Sequence, residues 1–166
     1  MKNKFLVFLK KIKYDLIIVL TICFFAILDL ILKEITTNKY FSLIDGIISI
    51  FYTENTGAAW SIFSDKTLGL IIISSIFIIF ILIFNFFFKK KNVLYSISLG
   101  MILSGAICNL LDRITFGYVR DFIKLDFINF PIFNIADSAI CVGVFLFCIF
   151  FIFYVQKKES KWKKHT

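Results

Sequence analysis

The 166 residues are 60% hydrophobic and 19% aromatic, with 23 Phe, one Pro and a mean hydropathy of +0.90, which excludes a disordered or ordinary soluble chain and points to a single integral membrane domain over residues 1–166. The net charge of +8 asks for no nucleic acid, because thirteen of the nineteen Lys and Arg flank long uncharged runs and read as an orientation signal, with attraction to anionic lipid as a by-product. Cys23, Cys108, Cys141 and Cys148 lie inside apolar runs without metal or disulfide spacing, and the only histidine is His165, which excludes His-dependent serine or cysteine catalysis and most zinc-hydrolase designs.

Lys2, Lys4, Lys10, Lys11 and Lys13 precede the run Leu16 to Leu28, which contains no Asp, Glu, Lys or Arg. Extending it through Leu32 approaches the roughly 20 residues that cross about 30 Å of hydrocarbon, so a first membrane helix is predicted over 15–33. A basic stretch before an apolar run also fits a secretory signal peptide. The run ends in LDLILKE without a small-residue cleavage site, so the helix is expected to stay.

The connection 34–67 contains YFSLIDGIISIFYTENTGAAWSIFSD, rich in Ile, Phe, Tyr and Thr and punctuated by Gly46 and Gly57. That composition predicts short strands rather than a further helix. Within ENTGAAW, Asn55 offers an amide that donates and accepts, Gly57 permits close backbone approach, and Ala58 and Ala59 leave room beside them. A turn between two strands fits Asn55 and Gly57 as well.

A second helix is predicted over 68–88 and a third over 93–111, linked by Lys89, Lys90 and Lys91. The third ends in SGAICNLLDR, where Asn109 to Asp112 is i to i+3 and Asn109 to Arg113 is i to i+4, so the three project from one side. Such a cluster at a membrane boundary reads either as a functional group or as an interfacial Asp112–Arg113 pair that caps the bundle.

The connection 112–137 continues with GYVRDFIKLDF. At period two, Val119, Asp121, Ile123, Leu125 and Phe127 share one strand face, opposite Tyr118, Arg120, Phe122, Lys124 and Asp126. Asp121 is thus the polar group on an apolar face, where burial raises a carboxyl pKa unless Arg120 or Arg113 pairs with it. An inward acid that protects a strand edge is the alternative. The fourth helix, predicted over 138–156, opens with Asn134, Asp137 and Ser138. Its N-terminus favours an ionised carboxylate at Asp137, which also fits a plain helix cap. Two carboxyls with environments that separate their pKa values suit acid and base roles around one water.

The basic flanks, Lys157, Lys158, Lys161, Lys163 and Lys164 among them, place both termini and the middle loop in the cytoplasm. The two long connections then face outside, and they hold eight of the eleven acids.

Together, LDLILK, NTGAAWSIF, GAICNLLDR, GYVRDFI and FNIADSAICVG, in this order along nearly the whole chain, resemble the lipoprotein signal peptidase (signal peptidase II) family of aspartic peptidases in bacterial membranes. The resemblance implies an α-helical membrane fold of four helices carrying a small extracytoplasmic β-sheet, with Asp121 and Asp137 as the catalytic dyad. Asn55, Gly57, Asn109, Asp112, Arg113, Asn134 and Ala136 fall on motif positions around the dyad or substrate, and Asp29 and Lys33 fall on the helix-one motif. It implies a prolipoprotein substrate cut just before a diacylglyceryl-modified cysteine, membrane lipid as surroundings, and no metal or organic cofactor. A monomer in the bacterial cell membrane, with its site at the outer face, is expected. Cys108 stands where the family commonly has Gly, and Trp60 where Phe is frequent.

Two other classes fit less of the chain. A small transporter or ion-binding protein would use intramembrane acids, but no half-helices or repeats are visible. A Ser/Lys peptidase could draw on Lys33 or Lys124 with Ser61 or Ser138, but no recognisable spacing joins them.

Overall fold

The computed structural model describes residues 2–57 and 67–162, with side chains over 12–57 and 67–156. The element order is α1 (Lys2–Thr36), β1 (Tyr40–Ile44), β2 (Ile48–Asn55), α2 (Thr67–Phe87), α3 (Val93–Phe116), β3 (Val119–Leu125) and α4 (Ile135–Trp162). Ala58, Ala59, Trp60 and Ser61 lie outside the described residues. Four segments are long and apolar enough to cross a membrane: Ile12–Thr36, Thr67–Phe87, Val93–Phe116 and Ile135–Gln156. Four such helices and a small antiparallel sheet are the architecture the sequence predicts.

Helix ends differ from the uncharged runs for local reasons. Instead of stopping at 111, α3 continues to Phe116, so Asp112 and Arg113 are helical residues and not part of a connection. It stops where Gly117 adopts φ 84° and returns its N–H to the Arg113 carbonyl, a left-handed C-terminal cap that glycine accepts without steric cost. Similarly, α4 begins at Ile135 rather than 138. Asn134 precedes it, and the Asn134 side-chain oxygen accepts the Asp137 N–H at 2.8 Å.

The centre of the bundle is α3. Of its apolar window 72% is buried, against 11% to 17% for the other three spans, and its mean hydropathy is the lowest at 1.7. The lower value reflects small and polar residues, among them Ser96, Ser98, Ser104 and Gly105, all buried. Helices in lipid gain little from apolar burial against one another, so close backbone approach at small residues holds them together. A Cβ on Gly105 would overlap the Ala136 carbonyl oxygen of α4, and one on Gly100 would lie 2.6 Å from Thr21 Cβ of α1. Cys108 is buried about one turn beyond Gly105, so the tight contact with α4 is made without it. Away from these seams, large apolar side chains such as Phe24, Ile76, Phe80 and Phe145 face outward, as a lipid-facing belt requires.

The sheet sits at the end of the bundle where α1 and α3 finish. Its order is β1-β2-β3, antiparallel throughout. The register pairs Thr53 with Asp121 and Asn55 with Val119, after an irregularity between Ile50 and Thr53. Beyond β3, Phe133 forms a bridge with Ile123: the Ile123 N–H donates to the Phe133 carbonyl at 2.8 Å and the Phe133 N–H returns at 3.1 Å. That bridge fixes the chain just before α4 against β3, and so brings the start of α4 beside Asp121.

Candidate active site

Period two on β3 predicts opposite directions for Arg120 and Asp121, and the two side chains go to separate networks. Arg120 turns to Asp112: its backbone N–H donates to Oδ2 at 3.1 Å and its Nη2 to Oδ1 at 2.9 Å. A further contact of 3.4 Å reaches Glu34, and the guanidinium lies 4.6 Å from the centre of the Phe116 ring. Asp121, only 1% exposed, receives two amides instead. Asn55 Nδ2 donates to its Oδ2 at 2.9 Å and Asn134 Nδ2 to its Oδ1 at 2.7 Å. Burial first, and then the charge of Asp137, raise the Asp121 carboxyl to about 7, against the opposing effect of the two amides.

Asp137 stands in the first turn of α4 and is not itself the N-cap. Asn134 caps the helix, and the Asp137 carboxylate reaches back to the Asn134 N–H at 3.2 Å, closing a reciprocal capping box. Its other oxygen accepts Asn109 Nδ2 at 2.7 Å. The two amides are joined, because Asn134 Nδ2 lies 3.1 Å from Asn109 Oδ1. A continuous chain of donors therefore runs from Asp121 through Asn134 and Asn109 to Asp137. Both acids line one cavity of about 430 Å³, whose walls include Val119, Ile132, Phe133 and Cys141.

Beneath the amides lies a buried ionic layer. Lys33, 0% exposed, has its ammonium 2.7 Å from Asp29, 3.0 Å from Asp112 and 3.3 Å from Asn109 Oδ1, so each of its three protons has an acceptor. The spacing of Asp29 and Lys33 thus does form an ion pair within α1. Asp29 also accepts the Ala136 N–H at 2.9 Å, which satisfies a free donor in the first turn of α4 from another helix. Ala136 takes part through its backbone: its N–H meets Asp29, and its carbonyl forms the close contact with Gly105.

Asp112 and Arg113 do not pair with each other. Asp112 is held by Lys33 and Arg120, whereas Arg113 sends Nη2 to the Gly57 carbonyl at 3.0 Å. Gly57 in turn donates its N–H to Asn55 Oδ1 at 3.0 Å, which fixes the Asn55 amide with its nitrogen toward Asp121. Neither Arg120 nor Arg113 forms an ion pair with Asp121 among the described residues. Of the eleven residues singled out in the sequence, all stand in this cluster. Sequence reasoning missed the part of Arg120, which locks Asp112, and the segment Phe130–Phe133 that walls the cavity. The single proline of the chain, Pro131, marks that segment.

The profile of the family described as signal peptidase (SPase) II matches residues 21–153. The chain belongs to the signal peptidase II family. It is 41% identical over 135 residues to a lipoprotein signal peptidase of Enterococcus faecalis, covering 80% of this chain and 81% of that one. It is 44% identical over 116 residues to a lipoprotein signal peptidase of Lactobacillus johnsonii, covering 70% and 75%. A bacterial membrane enzyme solved by the in meso method at 2.3 Å resolution superposes with a TM-score of 0.76 at 32% identity, covering 87% of this chain and 90% of that one. Together with its four apolar helices, membership of the signal peptidase II family makes the chain a multi-pass peptidase of the bacterial cell membrane.

Proposed function

We propose that the chain is an aspartic endopeptidase that removes the signal peptide from diacylglyceryl-modified prolipoproteins, cutting just before the lipidated cysteine. The observation that carries this reading is the joining of Asp121 and Asp137, from a strand and a helix start, through Asn134 and Asn109 at the wall of one largely apolar cavity. With its carboxyl raised to about 7 on the buried strand face, Asp121 is assigned the protonated role, and Asp137, at the start of α4, is assigned the role of base.

In this mechanism Asp137 removes a proton from a water molecule between the two acids as that water attacks the scissile carbonyl. Asp121 donates its hydrogen bond to the carbonyl oxygen and stabilises the oxyanion. The tetrahedral intermediate collapses with cleavage of the C–N bond, the proton held by Asp137 passing to the leaving cysteine nitrogen. The products are a signal peptide ending in a carboxylate and a lipidated cysteine with a free amine. Because the acids share a network, their apparent pKa values belong to the pair.

The basic flanks support cytoplasmic termini and a site at the outer face of the membrane, where the signal helix reaches the cavity sideways while the diacylglyceryl chains stay in lipid. A monomer suffices, since every residue of the cluster comes from one chain. The test is cleavage of a synthetic lipidated prolipoprotein peptide by the purified protein. Wild type should cut it before the modified cysteine, and Asp121→Asn and Asp137→Asn should each abolish cutting while remaining folded in detergent. Full activity in either variant would sink the assignment.

A further inference from the structure

The sheet stands beside the outer turns of α1 and α3 and not beyond them. The first turn of α4 meets Asp29 of α1 and Gly105 of α3. Those contacts lie seven and eleven residues short of Thr36 and Phe116, where α1 and α3 end, so about 10 Å and about 16 Å of the two helices rise past the start of α4. Strand β3 runs back down this height. Its Arg120 N–H is bonded to Asp112, four residues before the end of α3, and its Ile123 is bridged to Phe133, two residues before α4. Over the same height the outer faces of α1 and α3 are apolar and exposed, with Ile31, Ile35 and Ile114 among them.

At the end of the sheet remote from Asn55 and Val119, two connections distant in sequence come together. The Asp126 N–H, on the chain leaving β3, donates to the Ile47 carbonyl in the turn from β1 to β2 at 3.0 Å, and the Ile47 N–H donates to the Ile44 carbonyl at 2.9 Å. Leu43, Ile44 and Ile47 from the turn and Phe127 and Ile128 from the other connection are each 47% to 61% exposed. Five large apolar side chains gathered at one edge mark a contact surface rather than a wet one. Charge is sparse among them. Asp126 is paired with Lys124 at 3.1 Å and also accepts the Ser49 hydroxyl, which leaves Asp45, exposed in the turn.

We infer that this apolar tip is seated in the outer leaflet of the bilayer, a membrane contact made by the sheet in addition to the four helices. Lipid is the occupant because the strand leading to the tip descends along helix faces that already meet lipid, so the tip continues the apolar belt of the bundle. Asp45 sets the depth. An ionised carboxylate stays among the headgroups, so the side chains beside it reach the upper acyl chains and stop there, about 5–10 Å in, as an interfacial helix does. The seat also steadies the acid. Strand β3, which carries Asp121, is held by α3 at its first residues and by lipid at the other end.

The experiment places a single Trp in the full chain, reconstituted in phosphatidylcholine vesicles. Trp60→Phe and Trp162→Phe clear the background, and Leu43→Trp, Phe127→Trp or Phe145→Trp is then added. Phe145 lies ten residues into α4, about 15 Å below its start, and calibrates depth. Emission from Leu43→Trp and Phe127→Trp should be lost to lipids brominated near the headgroup end of the acyl chain, less to lipids brominated near its methyl end, and hardly to acrylamide in the water. Phe145→Trp should reverse the order of the two lipids. Quenching of Leu43→Trp and Phe127→Trp by acrylamide and not by bromine would put the tip in water and overturn the inference. Shielding from both quenchers would put it against a second copy or another protein and overturn it equally. The readout is depth and not cleavage, so either result leaves the peptidase reading untouched.

Discussion

The side-chain amide of Asn134 lies 2.7 Å from the Asp121 carboxylate, while the same residue caps the helix that carries Asp137. One side chain thus sets the position of both acids: its nitrogen holds the strand carboxylate, and its oxygen fixes the first turn of α4. Serine also caps helices well but is too short to do both. Asn134→Ser should therefore keep thermal stability within about 1 kcal/mol of wild type and lower kcat by about 10²-fold, the cost of one well-placed donor. Peptide cleavage and thermal unfolding, measured together in detergent, check this. Equal loss of both would mean that Asn134 is only a cap.

Lys33 bridges two buried carboxylates, Asp29 and Asp112; Asp112 also has Arg120, whereas Lys33 is the one cation paired with Asp29 among the described residues. Removing it leaves charge without a partner, which costs about 3–5 kcal/mol, far more than such a pair gives over apolar replacement. Lys33→Met should accordingly lower stability by that amount, and Lys33→Met combined with Asp29→Asn should recover part of it. A thermal shift assay on the three proteins decides the matter; no recovery in the double variant would count against charge as the cause.

The raised carboxyl of Asp121 makes two pH predictions of definite sign. If Asp121 acts protonated, kcat/KM should fall as pH rises through about 7. Asn55 donates to the ionised form and so holds the pKa down, so Asn55→Ala should move that descending limb to higher pH. For stability, the native state holds the Asp121 proton more tightly than the unfolded chain, whose carboxyl titrates near 3.8. The Asp121 contribution is greatest below about 4, declines as pH rises to about 7, and is level above. Asp121→Asn should remove this slope and be more stable than wild type at pH 8, by no more than about 4 kcal/mol. Unfolding followed between pH 4 and pH 8 tests it.

Gly105 and Gly69 offer a matched pair. A methyl group at Gly105 would meet the Ala136 carbonyl oxygen, which is backbone and cannot turn aside, whereas one at Gly69 has nothing within 4 Å. Gly105→Ala should destabilise by about 1–3 kcal/mol and reduce activity more than tenfold, because parting α3 from α4 pulls Asn109 off Asp137. Gly69→Ala should be neutral or stabilising by up to about 1 kcal/mol. Activity and melting temperature of both variants provide the check.

The fold was legible wherever composition alone decides the outcome. Uncharged runs near membrane length mark three spans and a shorter one, extended past Asp29, marks the first, while β-branched and aromatic residues on either side of Gly46 mark the two short strands. Helix ends were less so, since Gly117 and Asn134 act as caps only through backbone geometry that a hydropathy run does not register. Asp121 stood out as an acid on an apolar strand face and Asp137 as an acid at a helix start. Their partners did not, because pairing is a matter of three dimensions: Asp112 neighbours Arg113 in sequence but joins Lys33 of α1 and Arg120 of β3. Arg113 meanwhile steadies Gly57 in the first connection. Local spacing suggested a short-range charge pair, and the bundle replaced it with long-range ones that leave fewer buried charges unanswered.

The hydrogen bond from the Ala136 N–H to Asp29 joins the first membrane span to the last. In chain order, α1 and α3 supply Asp29, Lys33 and Asp112, and the Asp29 oxygen that accepts the Ala136 N–H is the part of this layer that only α4 can satisfy. The first turn of α4 carries both that donor and Asp137, so the contact that ties α4 to α1 also sets the position of the second acid. On the proposed mechanism, a chain that stops short of α4 therefore lacks one of its two acids.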